Sequence, residues 1–287
     1  MDIEPTSLKP IVRVAPGAAG ALRYLAARLD LSALLANRRW WLRSTPWPHF
    51  VAGNVFKREF LGELERQYNE VLGRGLGEPS DPTRFSRNMP NSDAYGWNLP
   101  PDVEGPLSLF YSKQWHDLLV GLTGVSSTGD VNAALHHHHV ESADGSVHRD
   151  VGVGWFSDQP RADGVNPMDL ARCSYTSGAV GKGEPAAREV VRSLTMIFYL
   201  GNSGWNQGDG GETGLYQSAS DHVHQPAVRV PPADNSILIF ENRLDSYHSF
   251  LTNRRAARNS IILWLHRPKD EAIERWGNHN IYRWKSG

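Results

Sequence analysis

At 287 residues with 40% apolar side chains, the chain is long enough to bury a sizeable core and too apolar to stay disordered. Thirty Lys and Arg against thirty-one Asp and Glu leave a formal charge of −1, so no net electrostatic footprint calls for nucleic acid or an anionic membrane as partner. The single cysteine, Cys173, rules out an internal disulfide framework, and neither a signal peptide nor a bilayer-length apolar run is legible, which makes a cytoplasmic setting the expectation.

One domain is expected, in three parts: a mainly helical 1–125, a sheet core over 126–268 and a C-terminal extension, 269–287. In the first part, Leu22, Leu25, Leu29, Leu34 and Leu35 fall at helical intervals. So do Phe56, Phe60, Leu61, Leu64, Tyr68, Val71 and Leu72, with Gly73 or Gly75 to stop the helix, and a third helix opens after Pro106 and runs through Trp115 and Leu119 to Gly124. Residues 76–105, rich in Pro, Asn, Asp, Ser and Gly, read as an irregular connection. Beyond Gly124 the pattern becomes short β-branched and aromatic runs: 132–141, 147–153, 192–200, 226–230, 235–240 and 258–265. Ser142-Ala-Asp-Gly145 suits a hairpin turn. Many short strands without intervening helices predict an α+β protein whose antiparallel sheet is closed or sandwiched. The Gly/Pro/Asp-rich stretch 154–190, opening with Trp155 and Phe156, reads as a lid or binding loop.

Eight of the twelve histidines lie between 136 and 248. His148-Arg149-Asp150 places an imidazole and a carboxylate on one strand face, and His248 offers a third ligand from a neighbouring strand. Two imidazoles and one carboxylate on one side of a metal leave the other coordination positions open, the facial triad of non-haem Fe(II) oxygenases. His139-Val-Glu141 and His222-Val-His224 are rival metal pairs of lower rank. In the run His136 to His139, alternate side chains point to opposite faces, so either His136 and His138 or His137 and His139 look into a cavity. No zincin motif, structural zinc pair or phosphate loop is present.

These residues sit in a context that resembles the Fe(II)- and 2-oxoglutarate-dependent oxygenases, in particular the branch similar to prolyl 4-hydroxylases. The likeness spans 105–267: a helix ending in Leu-Thr-Gly124, then His148-x-Asp150, Arg192-Ser-Leu-Thr-Met-Ile-Phe-Tyr-Leu200, Gly210-Gly-Glu-Thr213, Asn235-Ser-Ile-Leu-Ile-Phe240, His248, and Arg258-Asn-Ser260 ten to twelve residues further on. It implies a double-stranded β-helix (jelly-roll, cupin-like) core with N-terminal helices packed on it. It also implies Fe(II), 2-oxoglutarate and O2 as cofactors, with His148, Asp150 and His248 as catalytic metal ligands.

By the same resemblance Arg258 anchors the far carboxylate of 2-oxoglutarate, which suits the bidentate reach of a guanidinium, and Ser260 adds a hydrogen bond. Thr195 and Tyr199, on one strand face, are further candidates for that pocket, with core packing as the alternative. Prolyl hydroxylases proper usually carry Lys where Arg258 stands, which moves this chain away from them. With Asp150 intact, hydroxylation of an unactivated C–H bond is expected, not halogenation, with release of succinate and CO2; desaturation is the alternative. Arg149, Arg188, His137 and His139 suit an anionic group, and Trp155 a lid, so the expected substrate is a small polar metabolite such as a free amino acid or a natural-product intermediate. A peptidyl substrate lying along 76–105, or a cupin-like metalloenzyme or binding barrel that does not use 2-oxoglutarate, are the other readings. Ten tryptophans, several near Trp40, Trp41 and Trp47, suit either a core or the face of a homodimer.

Overall fold

The computed structural model describes residues 30–77, 81–87, 93–158 and 161–283. Leu22, Leu25 and Leu29, counted above toward a first helix, lie outside them. The N-terminal part contains α1 (Leu31–Leu34), β1 (Trp41–Arg43), β2 (His49–Gly53), α2 (Arg58–Leu72), β3 (Leu76–Gly77), β4 (Phe85–Ser86), β5 (Ala94–Asn98), a 3-10 turn (Pro106–Tyr111) and α3 (Lys113–Thr123). The remainder contains β6 (Asp130–His138), β7 (Val153–Ser157), β8 (Asn166–Pro167), β9 (Ala187–Tyr199), β10 (Thr213–Tyr216), β11 (Val228–Val230), β12 (Ser236–Glu241), β13 (Tyr247–Phe250), β14 (Arg258–Pro268) and α4 (Lys269–Trp276). Among the described residues no helix is long and apolar enough to cross a membrane.

Two sheets form the jelly-roll-like core. The larger runs β1-β2-β12-β9-β14-β6-β5-β4-β3, with β7 on β9 and β8 on β6; the smaller is β11-β10-β13. Alternation assigns the faces of the larger one. Ile261, Leu263 and Leu265 of β14, Leu135 and Ala133 of β6, and Phe198 and Met196 of β9 point outward into the main core. There Phe60, Leu64, Tyr68 and Val71 of α2 and Trp115 and Leu119 of α3 cover them, at the spacing that the helical periodicity predicts. Ser112 Oγ caps α3 on the Trp115 amide, and Gly124, at φ 69°, ends it. The inner faces bury a second, smaller cluster, with Ile197, Tyr199, Leu238 and Phe240 opposite Leu215 and Val230.

Several elements differ from the sequence reading. The N-terminal part also supplies strands: β2 extends the large sheet from β12, and β5 extends it from β6. They run to five residues at most, too short for alternation to show. Residues 147–153 do not make one regular strand. His148 is joined to His248 by a mutual pair of backbone hydrogen bonds (3.0 and 2.8 Å), and the chain then crosses to the large sheet, where β7 begins at Val153. The preceding 142–145 segment is therefore not a two-stranded hairpin turn; the Gly145 amide donates to the Phe250 carbonyl instead. The long stretch expected over 154–190 opens with β7 and closes with the start of β9. Between them it is tied down by β8, whose Asn166 donates to Asp130 Oδ1 at 2.8 Å. At Gly210 a Cβ would lie 2.0 Å from the Thr252 carbonyl oxygen, so the Gly210-Gly211 pair marks a close crossing of two chains that a side chain would block.

Candidate active site

His148, Asp150 and His248 converge where the chain leaves the small sheet. They are the one His/Cys/Asp/Glu group among the described residues with donor atoms gathered within 4.8 Å, in an arrangement able to hold a metal ion. Each imidazole Nε2 lies 3.9 Å from a different Asp150 oxygen. His148 Nδ1 is 2.8 Å from the Ser146 carbonyl and His248 Nδ1 is 3.1 Å from that of Ser246. A carbonyl accepts only, so both Nδ1 atoms carry the proton and both Nε2 lone pairs face the carboxylate, as metal-binding histidines require. Burial, with His148 alongside, holds His248 down at about 4, so its ring is neutral at pH 7.

Asp150 is buried and collects donors. Arg192 Nη1 reaches Oδ1 at 3.2 Å, while Thr195 Oγ1 (3.0 Å) and Trp264 Nε1 (2.7 Å) reach Oδ2. Burial alone would raise this carboxyl, but the Arg192 guanidinium, then His248 and His148, hold it well below the usual carboxylate range. Arg192 lies over the Trp264 ring, 4.2 Å from its centroid.

A second polar group lies deeper. Arg258 is buried, and it touches Thr213 Oγ1 through Nη2 (3.2 Å) and His138 Nδ1 through Nη1 (3.4 Å). Tyr199 bonds Thr213 at 2.7 Å and its ring sits 5.1 Å from the guanidinium carbon. Among the described residues no carboxylate pairs with Arg258. Its Nε and the Oγ of the fully buried Ser260 have no hydrogen-bond partner. A buried cation with unfilled donors is costly unless an anion joins it, so the group fits a carboxylate ligand.

Of the residues read from sequence, the structure brings together the triad, Arg258 with Ser260 and Tyr199, and Thr195, which sits against Asp150 and not beside Arg258. It does not bring the suggested substrate residues to the site. His137 hydrogen-bonds Asn259 (2.8 Å) and packs on Phe85 outside the barrel, and His139 bonds the Val140 carbonyl. The inward pair is His136 and His138, because strand register sets them opposite Ser260 and Arg258. Arg149 is held by the Leu244 carbonyl and Tyr247. Arg188 pairs with Asp130 (2.6 Å) and Asp158. Trp155 packs with the Val151, Val153 and Val191 cluster under α4. Of the rival metal pairs, His222 and His224 stay at the surface with Asp144, and His139 and Glu141 gather no third ligand.

Sequence reasoning gave no role to Arg192, Trp264 and Thr213, and it left open which pair of the His136 to His139 run faces inward. Strict alternation hides Arg192: Leu265 pairs with Leu194 but His266 with Arg192, so a bulge skips Ser193 and turns Arg192 inward beside Thr195. Trp264 was legible, since it follows Arg258, Ser260 and Ile262 at intervals of two.

Residues 175–266 match the sequence model of the 2OG-Fe(II) oxygenase superfamily. Comparison with curated proteins found no match. Similar solved structures include a Pseudomonas putida prolyl-4-hydroxylase, at 15% identity over 76% of this chain and 92% of that one, TM-score 0.47. A Trichoplax adhaerens prolyl hydroxylase in complex with a hypoxia inducible factor oxygen degradation domain peptide fragment is similar at 15% identity, over 78% and 86%, TM-score 0.48. The viral collagen prolyl hydroxylase of Paramecium Bursaria Chlorella virus-1 is similar at 12%, over 77% and 96%, TM-score 0.45. The family match falls on the strands that carry Arg192, Thr195, Tyr199, Thr213, His248, Arg258 and Trp264, and the assembled His-Asp-His group stands beside it; the activity these two findings support is that of a 2-oxoglutarate-dependent dioxygenase using Fe(II), 2-oxoglutarate and O2.

Proposed function

We propose that His148, Asp150 and His248 are the iron ligands, that Arg258, Ser260, Tyr199 and Thr213 receive the distal carboxylate of 2-oxoglutarate, and that the enzyme hydroxylates an unactivated C–H bond of a small polar metabolite. The observation that carries the co-substrate assignment is the buried, carboxylate-free Arg258 with its unfilled Nε beside the unpaired Ser260 hydroxyl. When bound, Fe(II) with 2-oxoglutarate and O2 supplies the oxidising chemistry, and succinate and CO2 leave. The chain's own residues supply geometry. The Ser146 and Ser246 carbonyls fix the two imidazoles, Arg192, Thr195 and Trp264 hold Asp150 ionised and oriented, and Arg258 draws the dicarboxylate inward.

Substrate contacts pass to the inner wall. His136 and Trp264 are only half-buried, lie 6.2 Å apart ring to ring, and line the barrel between Arg258 and the triad. Burial, then Arg258 and Arg192, hold His136 down at about 4, so at pH 7 it presents a neutral imidazole that can both donate and accept, which suits a polar uncharged or zwitterionic substrate group.

The test is anaerobic titration of the apoprotein with Fe(II) and then 2-oxoglutarate, followed through the weak visible charge-transfer band of the chelate. Wild type should develop the band and the Asp150→Ala and Arg258→Ala variants should not, after which free amino acids and short peptides are screened side by side for succinate release. Metal binding without a band would remove the co-substrate assignment and leave a different metalloenzyme. Turnover of peptides alone would overturn the small-metabolite reading.

A further inference from the structure

We propose that the segment between β7 and β9 holds Asp150 in place through Tyr175 and Arg192, making these two positioning residues for the iron-side carboxylate. The inference rests on the metal assignment above and adds a connection to it. Tyr175 lies in that segment and is buried. Its hydroxyl is 2.9 Å from His266 Nε2 and accepts from Arg192 Nε at 3.0 Å, and Arg192 Nη1 donates to Asp150 Oδ1 at 3.2 Å.

Only one proton arrangement satisfies the whole chain. His266 Nδ1 faces the Asp130 carbonyl at 3.0 Å and must donate to it. Burial keeps this ring neutral, so its Nε2 is bare and can only accept. Tyr175 therefore donates to His266, which leaves its oxygen lone pairs for Arg192 Nε, and Arg192 turns Nη1 toward Asp150 Oδ1. Three of these bonds donate toward the β6 backbone, and Arg192, donating both to Tyr175 and to Asp150, joins that run to the carboxylate.

Asp150 then has two unequal oxygens. Oδ2 receives Thr195 and Trp264, which fill both its lone pairs, whereas Oδ1 receives Arg192 alone among these donors. The Thr195 hydroxyl also lies 2.8 Å from the Asn242 amide, and the Asn242 nitrogen lacks an acceptor. With that nitrogen turned toward Thr195, the hydroxyl proton is free for Asp150. Oδ1 is thus the oxygen available to a metal, and Arg192 sets its direction. Space for Tyr175 comes from Gly154, where a Cβ would lie 2.5 Å from the phenol ring. A tyrosine on a long connecting segment, seated against a glycine of β7 and locked to β14, thereby ties the order of that segment to the metal ligand. By linkage, metal binding orders the segment to the same degree that the segment aids metal binding.

The experiment uses Co(II), whose visible spectrum reports ligand geometry, on full-length wild type, Tyr175→Phe and Gly154→Ala. Tyr175→Phe keeps the buried ring and removes only the hydroxyl. We expect its Co(II) affinity to fall about tenfold, in the range seen when a residue supporting a ligand is removed, with an altered d–d band. Co(II) should slow hydrogen exchange across 166–176 in wild type but not in Tyr175→Phe, and Gly154→Ala, which keeps every polar group, should behave like Tyr175→Phe. A merely structural hydroxyl would lower melting temperature while leaving the Co(II) spectrum and the metal-dependent protection unchanged, and that result overturns the proposal. Failure of wild type to bind Co(II) at all would instead sink the metal assignment, and this inference with it.

Discussion

The two faces of the large sheet are made by the same strands and obey opposite rules. Outward, β6, β9 and β14 present Leu135, Phe198, Leu263 and their neighbours, all buried and apolar under α2 and α3. Inward, the same strands present His136, His138, Thr195, Arg258, Ser260 and Trp264. One face gains stability by filling space, and the other keeps polar groups short of partners. The contrast shows that stability and chemistry are separated here by a one-residue step along the chain, so neighbouring substitutions should fail in different ways.

The largest effect should come from the inner face at Asp150. Asp150→Ala removes the carboxylate proposed as an iron ligand, so Fe(II) affinity should fall by more than the roughly 100-fold that marks the loss of a supporting residue, and turnover should vanish while circular dichroism stays native. On the outer face, Leu263→Ala should lower unfolding free energy by about 2–5 kcal/mol in urea titration, with Fe(II) and 2-oxoglutarate affinities unchanged well below the midpoint. Arg258→Met is the sharpest comparison. It should weaken 2-oxoglutarate binding by roughly 10–100-fold, the loss of charge-assisted hydrogen bonds worth about 1.5–3 kcal/mol, and at the same time raise the stability of the ligand-free protein, because a buried cation without a carboxylate is replaced by an apolar side chain. A fall in stability at Arg258→Met would show that the inner face contributes to folding after all. The smallest effect is expected at Ser260→Ala, about tenfold in 2-oxoglutarate affinity for one hydroxyl donor lost from a carboxylate that keeps Arg258, measured by the same band titration.

Sequence alone carried the main lines of this division. Arg258-x-Ser260 is legible because period-two alternation survives in a regular strand, whereas His148-x-Asp150 and His248 are legible through the chain order of the motifs they stand among. The outer core was legible for the same reason in α2, where Phe60, Leu64, Tyr68 and Val71 follow the helical repeat. Where regularity breaks, legibility ends. The bulge at Ser193 reverses the facing of Arg192. The four-residue strands β10 and β13 are too short to show a pattern, although they seat Thr213 and His248. The facing of the four consecutive histidines depends on the pairing of β6 with β14, which brings together residues over a hundred positions apart. No local pattern encodes that register, so the outward pair His137 and His139 looked as suitable as the inward one.

The same distant pairings bear on how the chain reaches its native state. β2 joins the sheet only through β12, with Val51 opposite Leu238, and Asn235 completes the connection by bonding the Phe56 backbone in both directions, to its amide at 2.9 Å and its carbonyl at 2.8 Å. β6 likewise waits for β14 on one side. A ribosome must therefore make most of the polypeptide before β2 meets β12, and nearly all of it before β6 meets β14. Contacts so far apart in sequence place folding in the slow regime of high contact order, with open strand edges in the nascent chain meanwhile. Shielding of those edges during synthesis, more than the final stability of the barrel, should then limit how much active enzyme a cell can accumulate.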